Sequence, residues 1–181
     1  MCYDLLHYPL NYTRVVYYCT MTKVNITFHD LILGGQDGLV NVLGLSLGLF
    51  AAHSGGHLII VAGLAAGFSE AISMGAVAYT SSLAERRTPE ERSGLLGSSV
   101  VVGVSALIGS ILPILPFLFI TELNATITGI ILSAIILFAA GYYRATITHE
   151  SRSRSGLQMV IIGIACAFAG FLIGMALQTP A

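Results

Sequence analysis

Polar and apolar positions alternate along this chain in blocks far longer than a strand or a surface helix needs. Residues 1 to 30 are mixed. Then come five long apolar runs, at about 31–52, 58–83, 98–120, 125–143 and 157–177. Each run is about 20 residues, and at ~1.5 Å rise per residue that length crosses a bilayer core as a helix. The pattern predicts an all-α polytopic membrane protein: an N-terminal segment at 1–30, then a transmembrane domain of five helices at 31–177.

Short polar breaks set the topology. His53 to His57 leaves five residues between the first two runs, which forces an antiparallel helical hairpin. Ala84 to Gly94 is a polar loop, Thr121 to Asn124 is a short turn, and Arg144 to Gly156 is a second polar loop. Pro113 and Pro116 fall near the far end of the third run and should kink or loosen it. Residues 1–30 contain no unbroken apolar core and no small-residue cleavage site, so they do not read as a signal peptide. Val15 to Tyr18 suits an interfacial helix, and a loose tail or a true start at Met21 are the alternatives.

Composition agrees with the pattern. The chain is 55% hydrophobic and 9% charged, against about 25% charged in soluble domains. A net charge of −1 gives no reason to expect a nucleic-acid partner. Cys2, Cys19 and Cys166 form neither a disulfide framework nor a zinc motif. The eight Lys and Arg residues sort strongly. Arg14 and Lys23 precede the first run, Arg86, Arg87 and Arg92 follow the second, and Arg144, Arg152 and Arg154 follow the fourth. All fall on one side, which predicts a cytoplasmic N-terminus and an outer or lumenal C-terminus. The sequon at Asn124 would lie outside, close to the membrane.

Acids within the apolar runs occur only in the first two. An ionised carboxylate near a helix centre costs about 2.5–3.5 kcal/mol on insertion scales. Asp37 and Asn41 share a face of the first run with Gly44 and Gly48. Glu70, Ser73, Met74 and Ser81 share a face of the second. Carboxylate with thioether one turn away suits a borderline divalent cation such as Fe²⁺ or Mn²⁺. Simple helix rise puts Asp37 shallowest from the cytoplasmic side, then Met74 and Asn41, with Glu70 deepest. Met74 as core filler, Glu70 as a proton carrier and Asp37 as a structural acid are the plainer roles. Gly34-xxx-Gly38 and Gly44-xxx-Gly48 permit close helix packing, within the chain or across a dimer. Glu85, Glu90 and Glu91 could gather cations at the cytoplasmic mouth, although neighbouring arginines favour a merely solvated loop. His53 and His57 could bind metal or simply face water.

Two segments carry a resemblance. Ile32 to Val40 (ILGGQDGLV) and Ala66 to Tyr79 (AGFSEAISMGAVAY) resemble the first- and second-helix signatures of the vacuolar iron transporter family. The likeness is specific over Phe28 to Leu83 and architectural beyond. It implies a homodimeric antiporter that moves Fe²⁺, and often Mn²⁺, out of the cytosol against protons. It implies that Asp37 and Met74 are the family's first-helix acid and second-helix methionine. The transported metal would be substrate, with no resident cofactor and no enzymatic activity. The membrane would be the plasma membrane in a prokaryote or the vacuolar membrane in a eukaryote. Two departures stand out. Many members carry Glu where this chain has Ala78, and better-known members insert a long glutamate-rich helical domain between the second and third helices. A non-transporting scaffold or partner subunit is the rival expectation. An intramembrane aspartyl protease is disfavoured, because only one Asp lies within the runs.

Overall fold

The computed structural model describes residues 12–84, 95–148 and 151–177, with side chains beyond residue 27. Glu85, Glu90 and Glu91 lie outside the described residues. Among the described residues the chain is all helical, with α1 Tyr12–Ala51, α2 Gly56–Ala84, α3 Leu95–Ile111, α4 Glu122–Thr148 and α5 Arg152–Ala176. A single 3-10 turn, Leu115–Leu118, joins α3 to α4.

Four segments are long and apolar enough to cross a membrane: Phe28–Ala51 of α1, α2, Glu122–Thr146 of α4, and α5. The third predicted run is shorter than expected. Its helix stops at Ile111 and spans 17 residues. Pro113 has no N–H to continue the ladder and disfavours helical backbone at Leu112, so the chain turns there instead of kinking. The polar breaks are also shorter than expected. Helix α4 begins at Glu122 inside the predicted turn and runs to Thr148, and α5 begins at Arg152. No proline interrupts those stretches, and Gly156 is held by Phe138 and Gly141 across the α4–α5 seam. At the other end, α1 extends back to Tyr12 because neither glycine nor proline intervenes before Gly34.

Helix α1 is the centre of the bundle and touches each of the other four. Two glycine seams hold it. Gly34 and Gly38 lie against the α3 backbone at Val102 and Ala106, and Gly44 and Gly48 lie against α5 at Cys166 and Gly170. A Cβ at Gly38 would come 2.1 Å from the Ala106 carbonyl oxygen, and one at Gly174 would come 2.0 Å from that of Gly48. Only hydrogen fits at these crossings, which is how small residues let membrane helices approach. These close approaches are all to helices of the same chain. Leu39, Val40, Leu137 and Met159 fill the centre between α1, α4 and α5.

The α1–α2 turn is tight. His53 closes α1 with φ 56°, a left-handed position usually given to glycine. Glu122 Oε1 accepts the Gly56 N–H at 2.6 Å, tying the start of α2 to the start of α4.

Candidate functional site

The α1–α2 hairpin brings three of the predicted polar residues together. Asn41 Nδ2 donates to Glu70 Oε1 at 2.5 Å. Asp37 lies one helical turn before Asn41 on the same face of α1, within electrostatic reach of Glu70.

The local sequence explains the meeting. A four-residue turn sets the hairpin register, and antiparallel helices climb at equal rise. Asn41 lies ten residues before the end of α1 and Glu70 fourteen after the start of α2. Simple depth from the helix ends put Glu70 well beyond Asn41. The hydrogen bond brings the two within one side-chain reach, so the expected ladder is compressed into a cluster. Met74 is half-buried one turn along α2 from Glu70. Ser73 and Ser81 are exposed, and Ser81 Oγ donates to the Ala78 carbonyl of its own helix.

The cluster is open. Asn41 is exposed, while Asp37 and Glu70 are only partly covered by the chain's own helices. Among the described residues no group of three or more His, Cys, Asp and Glu side chains could hold a metal ion. One chain therefore offers two carboxylates, an amide oxygen and a thioether, a sparse donor set. His53 and His57 sit at the other end of the hairpin from Asp37, both exposed.

One neighbouring acid was missed. Asp30 accepts a hydrogen bond from Ser98 Oγ at the start of α3. Its side chain is 15% exposed, with His29 Nδ1 3.9 Å away. Asp30 is seven residues before Asp37, nearly two turns, so the two share a face of α1. That spacing was legible, but placing the helix start at Leu31 hid it.

Comparison with known proteins gives consistent matches. The model of the VIT family matches residues 28–94 and 87–175. The two matched pieces overlap at residues 87–94. An uncharacterised protein of Methanocaldococcus jannaschii is 29% identical over 165 residues, covering 79% of this chain and 86% of that protein. Vacuolar iron transporter 1 of Oryza sativa is 24% identical, covering 83% of this chain and 85% of the relative. Vacuolar iron transporter 1 of Arabidopsis thaliana is 20% identical, covering 82% and 85%. The rice alignment runs over 214 positions, so that relative carries residues this chain of 181 lacks.

Proposed function

The chain belongs to the VIT family, and from that premise we propose that it exports a divalent metal, Fe²⁺ first and Mn²⁺ second, from the cytosol in exchange for protons. The observation that carries this reading is the Asp37–Glu70–Asn41 cluster, set between two helices with the length and composition of membrane spans. The names of the plant relatives supply the metal.

The exchange follows from charge. When it takes up one proton, the carboxyl pair carries a charge of −1. A divalent cation that displaces the proton leaves two carboxylates balanced by two positive charges. Metal and proton thus exclude one another at one site, which gives antiport if the site faces each side in turn. Asn41 supplies an amide oxygen once its N–H leaves Glu70, and Met74 supplies a soft donor one turn away. Few donors favour release, which transport needs.

The arrangement in the membrane completes the proposal. All five helices cross, with α3 and its 3-10 turn together making the third span. The arginine-bearing ends face the cytoplasm and the C-terminus faces the outside or the lumen. The cluster's open side meets a second copy of the chain, because exposed amide and carboxyl groups in a membrane span need a polar or protein cover. Gly34, Gly38, Gly44 and Gly48 are already engaged within the chain, so the dimer contact would run through the polar cleft and the lightly buried face of α2.

The test is metal uptake into proteoliposomes under an imposed pH gradient, with Fe²⁺, Mn²⁺ and Zn²⁺ compared. Gradient-dependent flux should vanish in Asp37→Asn, and Met74→Ala should shift preference toward the harder Mn²⁺. No flux of any metal from folded, dimeric protein would refute the transporter and favour a partner-subunit role.

A further inference from the structure

We infer that α3 and α4 hold one anionic phospholipid, its acyl chain in the crevice between them and its phosphate at Arg144. The two helices converge where Pro113 meets Gly129, with a Cβ at Gly129 only 3.1 Å from the Pro113 carbonyl oxygen. Away from that turn they scarcely touch, and both lean on α1 instead. The gap is a hollow of about 250 Å³, lined by Gly35 and Gln36 of α1, Ser105 and Ile108 of α3, and Ile136 and Ala140 of α4.

Three observations select the occupant. The wall is apolar apart from Gln36 and Ser105, and Ser105 Oγ already donates to the Val102 carbonyl. Gln36 makes no hydrogen bond among the described residues, so its amide is available to a lipid ester carbonyl. The third is charge at the wide end. Arg144 lies one turn beyond Ala140 on the same face of α4. Arg152 is held nearby over the Tyr142 ring, 5.7 Å from its centroid. Tyr142 and Tyr143 are exposed there, as aromatic residues at a headgroup level are. The described acid at this end, Asp30, is taken by Ser98. Arg144 already interacts within the chain, but a guanidinium has five donors and readily serves a phosphate as well.

A second copy of the chain is a poorer occupant. In a parallel dimer it would bring its own arginines to the same level, like against like. A smaller hollow of about 150 Å³ between α1, α4 and α5 offers a useful contrast, because its lining is entirely apolar and no basic residue borders it.

Purified protein would be titrated with phosphatidylglycerol and with phosphatidylcholine, and bound lipid counted by native mass spectrometry. The wild type should prefer phosphatidylglycerol. Arg144→Gln should weaken that binding roughly fivefold, the worth of one basic residue at an anionic lipid surface. Arg154→Gln should have a smaller effect. Ala140→Phe should exclude both lipids, and if it does not fold, Ile108→Phe fills the same hollow from α3. Equal binding of the two lipids would overturn the inference. So would equal losses in the two arginine variants, which mean diffuse surface charge, or full binding with the crevice filled. Cross-links between copies through Ile108 would assign the crevice to the dimer instead. None of these readouts depends on transport, so they stand or fall apart from the antiporter reading.

Discussion

Gly38 and Gly97 make a matched pair, because both are helical glycines and only one is crowded. A Cβ at Gly38 would lie 2.1 Å from the Ala106 carbonyl oxygen and 2.7 Å from Ser110 Oγ, whereas one at Gly97 meets nothing within 4 Å. Ordinary contact begins near 3.4 Å, so Gly38→Ala forces α1 and α3 apart by about 1.3 Å. The obstacle is backbone, which cannot rotate away. A gap of ~0.5–1 Å already forfeits a quarter to a half of each contact, and this seam loses more. Overpacking of this kind costs about 1–3 kcal/mol, against a helix-propensity gain of about 1 kcal/mol for Gly→Ala. Gly38→Ala should be destabilised by up to about 2 kcal/mol, while Gly97→Ala should gain up to about 1 kcal/mol. Helical circular dichroism during denaturant titration in a fixed detergent measures both. Two variants of equal stability would refute the reasoning, because the seam would then be slack. The carboxyl pair adds a second readout. Asp37 is next to Gly38, so any surviving transport should fall more in Gly38→Ala than in Gly97→Ala.

Two more outcomes follow from described contacts. Asn41→Leu removes the amide donor from Glu70 while keeping size, and it should slow metal flux at least tenfold with folding intact; unchanged flux would leave Asn41 a bystander. Glu122→Ala takes an anion from the first turn of α4 and an acceptor from the Gly56 N–H. It should cost about 0.5–1 kcal/mol, read by the same unfolding titration, since both helix starts favour negative charge.

The helices were legible because long apolar runs leave few alternatives once charge is so scarce. The polar face of α1 was legible because Asp37 and Asn41 are one turn apart. What could not be read was azimuth and level. A sequence shows that Gly34, Gly38, Gly44 and Gly48 repeat at packing intervals, but not that one pair meets α3 and the other α5. It shows acids in two helices, but their common level depends on the tightness of the turn in which His53 takes a left-handed conformation. The length of α3 was misjudged for a simpler reason. Hydropathy counts Leu112 to Ile120 as membrane sequence, while Pro113 makes helix impossible to continue there. Asp30 was passed over because the boundary was drawn at the first unbroken apolar residue, and its partner Ser98 comes from a helix far along the chain.

The two glycine seams also govern how the length of this chain can change. Both are cut into a single helix, so both share one phase. One residue inserted between Gly38 and Gly44 would turn everything beyond it by about 100° and advance it by about 1.5 Å. The later seam would then face away from α5, and the tip of the hairpin would carry α2 and Glu70 with it. Loops have no phase to lose. The stretch after α2 joins two helices already packed on each other, and there even a whole domain could be added or deleted without disturbing the register that brings Asp37 to Glu70.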